Sequence, residues 1–461
     1  MIVYRRTVPQ PLGEVFAWHE RPGAFTRLSP PWLPGRPEQE ASSLEDGTAV
    51  LALPGGLRWV ARHRPDGYDP PHAFVDELAA APGLWRHTHV FSVEKDGSTL
   101  VEDRVATPVP EAMLRPLFAY RHRQLSADLA SHQRARSWAA GTGDEGTGTG
   151  TAPEPLEPLT VAMTGSSGLV GSALAAFLTT GGHRVVRLVR RAPQHPGEQR
   201  WDPDAPSPDV LLGADAVVHL AGASIAGRFT EAHKAKVAST RTGPTERLAA
   251  AAARAASTGG GPRVFVSASA VGYYGYDRGE EPVGEDAPRG RGFLAQLVAE
   301  WEEATAPAAQ GGLRVCQVRT GIVQSPAGGM LRLLYPVFLA GLGGRLGDGS
   351  QWSSWVALDD LVDIYYRALV DGRISGPLNA TSPNPVTNAT YTEVLAKVLH
   401  RPALLSVPAL APELLLGVEG AREFAMASQR ALPAALEKLG HSFRYPELEG
   451  ALAHVLGRAA G

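Results

Sequence analysis

The last two thirds of the chain alternate between short apolar runs and segments whose apolar residues recur at helical spacing. Runs typical of buried strands lie at residues 159–163, 184–190, 216–222, 264–269 and 313–320. Apolar residues from Val170 to Leu178, and again across residues 230–256, have the spacing of helices. Strands that alternate with helices predict an α/β domain built on a doubly wound parallel sheet.

The first part of the chain has a different pattern. A strand is predicted at residues 2–7, a short helix at 11–19, and further strands at 48–53, 57–63, 73–78, 85–93 and 99–107. Leu57, Trp59 and Ala61 occupy alternate positions, as expected of a strand with one buried face. A long helix with one apolar face is predicted at residues 111–136. These elements predict an α+β domain in which a long helix closes an antiparallel sheet.

A segment rich in glycine, threonine and proline, residues 139–157, lies between these two parts and cannot form a buried core. We therefore expect a flexible linker there, with one domain at residues 1–138 and a second at residues 158–380. Residues 381–461 are expected to form a mostly helical lobe that completes a substrate site.

Composition and charge exclude several classes of function. The net charge of −3 gives no reason to expect a nucleic-acid partner, and no apolar run reaches the roughly 18 residues that span a membrane. Cys316 is the only cysteine, so no internal disulfide can form, and the first residues lack an apolar signal core. We therefore expect a cytoplasmic protein whose partner is a small molecule.

A glycine-rich turn joins the first strand of the second domain to its helix. It comprises Thr164, Gly165, Ser166, Ser167, Gly168, Leu169, Val170 and Gly171. The first glycine permits a sharp turn, the second lets a pyrophosphate approach the backbone, and the third lets the helix pack close to the sheet. Free N–H groups at the helix N-terminus then point at the phosphates. The motif predicts a dinucleotide-binding domain of the Rossmann type, and the alternative is a purely structural turn.

The second predicted strand ends in Arg190 and Arg191, where an NAD site usually carries an acidic residue that binds the ribose hydroxyls. A carboxylate would repel a 2′-phosphate, whereas a guanidinium binds it through two hydrogen bonds. The arginines therefore predict NADP as the cofactor. The alternative is that both are solvated at the end of a strand.

Further site residues are expected where the other strands end, because ligands lie at the carboxyl ends of parallel strands. The candidates for cofactor binding are Leu220, Ala221, Gly222, Ser267, Arg319 and Thr320. Arg319 has an alternative role within the fold, paired with a carboxylate such as Asp359. Residues 325–350, which are rich in glycine, are expected to form a mobile loop over the substrate.

The second domain resembles the extended short-chain dehydrogenase/reductase superfamily. More narrowly, it is similar to the atypical "epimerase family" branch, which ends in a C-terminal domain of unknown function. The residues that carry this resemblance are Thr164 to Gly171, Leu220-Ala221-Gly222, Ser267 to Gly275, Trp301-Glu302, Arg319-Thr320-Gly321, Gly341 to Gly344, Trp355 with Asp359-Asp360, and Gln429 to Pro433.

The resemblance implies a mechanism in which a Tyr exchanges a proton with the substrate while hydride moves to or from the nicotinamide. A Lys four residues later lowers the pKa of that Tyr, and a Ser orients the substrate oxygen. Here Phe293 and Leu297 stand where the Tyr and the Lys would be, and no lysine occurs between Val237 and Ala396. Ser269, Tyr273 and Tyr274 remain as substitutes, unless the two tyrosines only pack or bind substrate.

The first domain resembles the START-like (SRPBCC) superfamily, which has a helix-grip fold. The residues that carry the resemblance are Trp85-Arg86-His87-Thr88-His89 and Glu102-Asp103-Arg104-Val105. It implies a cavity for an apolar ligand between sheet and helix, and the alternative is a filled core. His87 and His89 share one strand face and could bind a metal, but without a third ligand a structural role is favoured and no metal site is predicted.

Two functions are consistent with these patterns. The first is an NADP-dependent oxidoreductase of atypical short-chain, epimerase-like type that acts on an unidentified small molecule. The second is a non-catalytic protein that senses NADP(H), with an N-terminal domain that binds an apolar ligand. The absent Tyr/Lys pair favours the sensor, whereas the glycine turn and Ser269 favour the enzyme.

Overall fold

A computed structural model describes residues 1–81, 83–141, 156–408 and 410–458, which form two compact units. The first unit contains Met1–Gln133, Ala175–His183 and the segment that begins at Ala453; the second contains the rest of the described chain. Most of the predicted linker, residues 142–155, lies outside the described residues. Among the described residues, no helix is long and apolar enough to cross a membrane.

The first unit is built on a seven-stranded antiparallel sheet in the order β1-β7-β6-β5-β4-β3-β2. Its strands are β1 (Ile2–Val8), β2 (Arg36–Gln39), β3 (Thr48–Ala52), β4 (Arg58–His63), β5 (Ala73–Leu78), β6 (Arg86–Val93) and β7 (Thr99–Ala106). Its helices are α1 (Leu12–Glu20), α2 (Ala24–Leu28) and the long α3 (Glu111–Ala139), which continues beyond the unit's boundary.

The core of this unit lies between the sheet and α3. Side chains along β6 alternate, so that His87, His89 and Phe91 are buried on one face while their neighbours are more exposed. Phe91 belongs to an apolar cluster with Phe16 of α1, Phe74 of β5 and Leu129 of α3. The ring centroids of the three phenylalanines lie 5.7–6.2 Å apart, so aromatic side chains fill this part of the interior.

The second unit is built on a seven-stranded parallel sheet. Its strands are β8 (Thr160–Thr164), β9 (Arg184–Val189), β10 (Glu198–Arg200), β11 (Ala216–His219), β12 (Val264–Ala270), β14 (Arg314–Thr320) and β19 (Gly376–Ala380). They are arranged in the order β10-β9-β8-β11-β12-β14-β19. In chain order, β9 lies on one side of β8, and β11 then lies on the opposite side of β8. This reversal leaves a crevice at the carboxyl ends of β8 and β11, the position where ligands bind in such sheets.

Helices and short strands complete the second unit. The helices are α4 (Leu169–Thr180, shared with the first unit), α5 (Glu231–Ser239), α6 (Thr242–Ser257), α7 (Phe293–Glu303), α8 (Ala306–Gln310), α9 (Gly329–Leu339), α10 (Leu358–Val370), α11 (Asn388–Leu399), α12 (Leu410–Gly420), α13 (Ala434–Lys438) and α14 (Leu448–Val455, also shared with the first unit). The remaining strands are β13 (Asp277–Val283), β15 (Ile322–Gln324), β16 (Gly344–Leu346), β17 (Trp352–Ser353), β18 (Trp355–Ala357), β20 (Val386–Thr387), β21 (Leu405–Val407) and β22 (Ser428–Ala431). They form the pairs β13-β22, β15-β18, β16-β21 and β17-β20.

The helix predicted at residues 230–256 is in fact two helices, α5 and α6, which are separated at Thr240 and Arg241. The reason is Pro244, whose missing N–H would otherwise bind the carbonyl of Thr240 and whose ring collides with that carbonyl in a continuous helix. The break places Arg241 at the start of α6, where its side chain is buried.

The glycine-rich stretch at residues 325–350 was also predicted incorrectly as one loop, because it contains α9 and β16. Its glycines flank an amphipathic segment in which Leu331 and Phe338 are buried while Leu333 is exposed. In the described part of residues 381–461, helices α11 to α14 are accompanied by strands β21 and β22, which pair with β16 and β13.

Candidate active site

Close backbone packing determines the conformation of the glycine turn after β8. Gly165 has a φ of 69°, and a Cβ atom at this position would lie 2.7 Å from the carbonyl carbon of Leu220. A Cβ atom on Gly171 would lie 2.2 Å from the carbonyl oxygen of Gly165. Both distances are shorter than any normal contact, so these two glycines are required by the fold itself.

The outer part of the turn is open. Ser167 and Gly168 are exposed, Ser166, Leu169 and Val170 are half-buried, and α4 begins at Leu169. A Cβ atom on Gly168 would meet only the carbonyl oxygen of Gly165, at 3.3 Å. The first backbone N–H groups of a helix have no partners within that helix, so this turn presents donors to an anion.

Thr164 joins the carboxyl ends of β8 and β11. Its hydroxyl accepts hydrogen bonds from the backbone N–H groups of Leu220, at 3.2 Å, and Ala221, at 3.3 Å. The same hydroxyl lies 2.7 Å from Nδ1 of His219. Burial and the nearby Arg241 lower the pKa of His219 to about 4, so its imidazole is neutral. These contacts place Leu220, Ala221 and Gly222 beside the glycine turn.

Arg241 is a candidate ligand that the sequence did not reveal. It is only 7% exposed, and a Cβ atom on Gly222 would lie 3.1 Å from its guanidinium carbon. The guanidinium lies over the ring of Trp301, 5.0 Å from its centroid, and donates to the carbonyl of Val237 at 3.2 Å. Its Nε has no hydrogen-bond partner among the described residues, and burial lowers the pKa of Arg241 to about 10. A buried cation beside the crevice would bind an anion there.

The two arginines after β9 have different surroundings. Arg191 donates two hydrogen bonds to Glu198, at 2.8 and 2.6 Å, whereas Arg190 is exposed and forms no ion pair among the described residues. Arg200, at the carboxyl end of β10, is opposite Val189 and is also exposed. Arg190 and Arg200 therefore offer the available positive charge at this edge of the sheet. Arg191 would have to release Glu198 before it could bind a phosphate.

A buried ion pair organises the carboxyl ends of β12 and β14. Arg319 donates from Nε and Nη2 to the two carboxylate oxygens of Glu302 on α7, both at 2.8 Å. Burial lowers the pKa of Arg319, but the hydrogen bonds and charge of Glu302 outweigh that effect and the net shift is upward. The carboxylate partner is thus Glu302 rather than the Asp359 suggested by the sequence. Since Arg319 is only 3% exposed, it is not available to a cofactor.

The hydroxyls of the two candidate serines and of Thr320 also donate hydrogen bonds within the protein. Ser269 is opposite Arg319 in the sheet and donates a hydrogen bond to Oε1 of Glu302 at 2.6 Å. Ser267 is buried, and its hydroxyl donates to the carbonyl of Ala268 at 3.1 Å. The Thr320 hydroxyl donates to the carbonyl of Val318 at 3.2 Å. Ser269 is therefore oriented by the same carboxylate that neutralises Arg319.

The two candidate tyrosines occupy different environments. Tyr274 is fully buried; its hydroxyl donates to Oδ1 of Asn379 at 2.7 Å and accepts from Nη1 of Arg319 at 3.0 Å. Burial raises the pKa of Tyr274, although Arg319 opposes that shift. Tyr273 is half-buried, and its ring centroid lies 3.6 Å from the guanidinium carbon of Arg319. The geometry favours a structural role for Tyr274 and leaves Tyr273 as the accessible phenol.

Helix α7 presents an apolar face where the superfamily would have its Tyr and Lys. Phe293 lies beside Phe229, with ring centroids 6.0 Å apart, and Leu297 is buried in the same cluster. Glu423, from the C-terminal segment, accepts a hydrogen bond from the backbone N–H of Leu294 at 2.9 Å and thereby occupies the helix N-terminus. Neither side chain at these two positions can transfer a proton.

Comparison with known proteins identifies the family. A profile described as the NAD dependent epimerase/dehydratase family matches residues 161–380, and a domain of unknown function, DUF1731, matches residues 407–455. An epimerase family protein of Mycobacterium bovis is 45% identical over 301 residues, which cover 65% of this chain and 98% of that protein. The chain therefore belongs to the NAD dependent epimerase/dehydratase family.

Two solved structures are also similar. A nucleoside-diphosphate sugar epimerase from Corynebacterium glutamicum has 44% identity and a TM-score of 0.83, covering 99% of this chain and 90% of that one. Human epimerase family protein SDR39U1 (isoform 2), solved with NADPH, has 29% identity and a TM-score of 0.59. It covers 65% of this chain and 100% of the human one.

The contrast between the tyrosines predicts different effects on stability. Tyr274→Phe should lower the free energy of unfolding by about 1–3 kcal/mol, because it leaves Asn379 Oδ1 without its buried donor. Tyr273→Phe, the matched control, should change it by less than about 0.5 kcal/mol. Urea denaturation of both variants measures the difference. Equal stability of the two variants would contradict the structural role of Tyr274.

Proposed function

We propose that this protein is an NADP(H)-dependent oxidoreductase of atypical short-chain type that acts on a small molecule. The observation that carries the proposal is the crevice between β8 and β11, where an open glycine turn, a helix N-terminus and a buried cation come together. The crevice lies at the point where the strand order reverses, the usual position of a dinucleotide in such sheets.

The residues of the crevice fit a pyrophosphate. Gly165 and Gly171 bring the turn and α4 close to the sheet, while the exposed Gly168 leaves room for a phosphate against the backbone. Arg241 carries a buried positive charge with one unpaired N–H, and binding an anion would satisfy both. The N–H groups at the start of α4 supply the neutral donors.

We favour NADP over NAD because exposed arginines lie at the end of β9 and beside it. Arg190 and Arg200 are exposed at the carboxyl ends of adjacent strands, where a 2′-phosphate on the adenine ribose is expected. Glu198, the acidic residue of β10, is already bound to Arg191. The human relative solved with NADPH supports the same choice.

Tyr273 is the proton donor or acceptor in this proposal. When bound, the nicotinamide supplies or accepts the hydride. Tyr273 follows β12 directly, it is accessible, and Arg319 holds its ring through a cation–π contact. Glu302 fixes Arg319 and also accepts the Ser269 hydrogen bond, so Ser269 and Arg319 act as positioning residues. The chain thereby replaces the usual Tyr/Lys pair with a tyrosine supported by an arginine.

The rival function is a non-catalytic sensor of NADP(H). It is favoured by the apolar Phe293 and Leu297 and by the Glu423 carboxylate at the start of α7, which together remove the superfamily's acid–base pair. The sensor predicts tight NADPH binding without hydride exchange with any carbonyl substrate. The enzyme predicts turnover that depends on Tyr273.

The remaining predictions concern the first unit and the domain boundaries. The first unit has an antiparallel sheet and a long helix, while its START-like assignment and the domain divisions at residues 138, 157 and 380 remain predictions. The cluster around Phe16, Phe74 and Phe91 favours the filled-core alternative over an apolar ligand in that part of the unit. A cytoplasmic location also remains a prediction.

NADPH binding should distinguish the roles of two glycines. Gly168→Ala should lower NADPH affinity by about tenfold or more while leaving the protein folded, because the added methyl occupies the phosphate's approach. Gly165→Ala should destabilise the fold by about 1–3 kcal/mol, because its Cβ atom collides with the Leu220 backbone. Fluorescence titration and urea denaturation measure the two effects.

Gly372→Ala is the matched control for these glycines. A Cβ atom at this position meets nothing within 4 Å, so both affinity and stability should be unchanged. Wild-type protein with no saturable NADPH signal would refute the nucleotide site. Equal affinity in wild type and Gly168→Ala would show that the phosphates bind elsewhere.

If Arg241 binds an anion of the cofactor, its replacement should lower the affinity for NADPH without lowering the free energy of unfolding. Arg241→Met should lower NADPH affinity by about tenfold or more, the effect of a lost charge-assisted hydrogen bond. The free energy of unfolding should stay equal or rise, because the variant removes an uncompensated buried charge. Arg254→Met, on the exposed face of α6, should change neither quantity. A stability loss with unchanged affinity would assign Arg241 to the fold.

Turnover tests the role of Tyr273. We would screen small carbonyl compounds and nucleotide sugars for oxidation of NADPH or reduction of NADP, and then compare variants on the best substrate. Tyr273→Phe should lower kcat by about 10²–10⁴-fold with NADPH affinity unchanged, as expected for a lost general acid. Arg254→Met, an exposed change on α6, is the control. Full activity of Tyr273→Phe would remove this tyrosine from the mechanism.

A further inference from the structure

A cluster of histidines and aspartates lies on the buried face of the sheet in the first unit. His87 and His89 are on β6, Asp76 on β5 and Asp103 on β7, and all three strands are adjacent. Asp76 is directly opposite His87, and Asp103 is directly opposite His89. His122, on α3, contacts the cluster from the other side. The sequence had suggested only the histidine pair, because the two aspartates reach it through strand register.

Asp103 holds the two imidazoles from one side. Its Oδ1 lies 2.8 Å from Nε2 of His87 and 3.0 Å from Nδ1 of His89, so one oxygen accepts a hydrogen bond from each ring. Its other oxygen, Oδ2, lies 2.6 Å from Nε2 of His122. Carboxylates that accept the outer N–H of a histidine fix the ring and direct its second nitrogen towards a metal.

The second nitrogen of each ring faces Asp76. Nδ1 of His87 lies 3.4 Å from Oδ2 of Asp76, and Nε2 of His89 lies 3.5 Å from the same oxygen. These distances exceed the usual length of an N–H···O hydrogen bond. They match the separation of about 3.3 Å between neighbouring ligands in a tetrahedral site with metal–ligand bonds near 2.0–2.1 Å. The three ligand atoms all lie within 4.8 Å of one another.

The surroundings of the cluster hold these rings rigidly. The ring of Phe74 stacks on His89 with centroids 4.0 Å apart, and the edge of Phe118 meets His87 at 5.2 Å. His87, His89 and Asp103 are each less than 5% exposed, whereas Asp76 retains partial exposure. A metal would therefore have preformed ligands, with its open side next to Asp76.

We propose that Asp76, His87 and His89 bind one divalent zinc-type ion in the first unit, with a water molecule as the fourth ligand. Imidazole nitrogen and carboxylate oxygen are ligands that zinc accepts, and three protein ligands with one open position are typical of sites that bind or activate a small ligand. Asp103 and His122 act as outer residues that orient the two histidines. This site is independent of the nucleotide proposal.

Metal content tests the proposal directly. Full-length protein without an affinity tag would be stripped with a chelator, incubated with zinc, desalted and analysed by inductively coupled plasma mass spectrometry. We expect one zinc per chain and a higher melting temperature with zinc than without it. Replacement of zinc by Co²⁺ should give the visible absorption of a four-coordinate ion. Zinc well below one per chain in the wild type would overturn the proposal.

A graded set of variants locates the ion. Asp76→Asn and His89→Gln should abolish stoichiometric binding, and Asp103→Asn should weaken it by about 10–100-fold, as expected of an outer residue. His183→Gln is the matched control, because His183 is a buried histidine of the first unit that does not lie on β5, β6 or β7. Unchanged zinc content in Asp76→Asn would refute the site. If a variant unfolds, the cobalt spectrum of the wild type still tests the proposal, because a wild type without the absorption of four-coordinate Co²⁺ would contradict the site.

Discussion

A buried guanidinium must be neutralised, and in the second unit this requirement fixes the geometry of the candidate active site. Arg319 is almost fully enclosed, and Glu302 supplies the opposing charge through two parallel hydrogen bonds. The same two side chains hold Ser269, Tyr274 and the ring of Tyr273. The ends of β12 and β14, α7 and the turn after β12 are thereby fixed to one another by a single polar network. Such a network rigidifies a site because each member would be costly to leave unpaired.

Arg241 shows the opposite situation in the same unit. It is nearly as buried as Arg319, yet its Nε lacks a hydrogen-bond partner among the described residues, and its guanidinium donates to the backbone carbonyl of Val237 and lies over the ring of Trp301. An uncompensated cation costs stability in the free protein, and it is retained most readily where a ligand neutralises it. Both arginines lie near strand ends, but their roles differ. The charge of Arg319 is neutralised within the fold, whereas the proposed role of Arg241 is to bind an anionic ligand.

The first unit shows a similar contrast between two charged groups, here two aspartates that face histidines. Asp103 is satisfied by three imidazoles at hydrogen-bonding distance, whereas Asp76 faces two imidazole nitrogens at a spacing better suited to an intervening ion. The family models match residues 161–380 and 407–455, outside β5, β6 and β7, which carry this cluster. The proposed metal site would therefore lie on strands that those models do not cover.

The sequence determined the local structure, because periodicity and turn chemistry act over a few residues. Alternating strands and helices predicted the parallel sheet, and the glycine motif marked the turn, where close packing requires Gly165 and Gly171. Only the tertiary structure decided which charges meet. Arg319 pairs with Glu302 rather than Asp359, Arg191 pairs with Glu198, and Asp76 joins the histidines of β6. Those pairings depend on strand register, helix packing and burial, which leave no periodic signal along the chain.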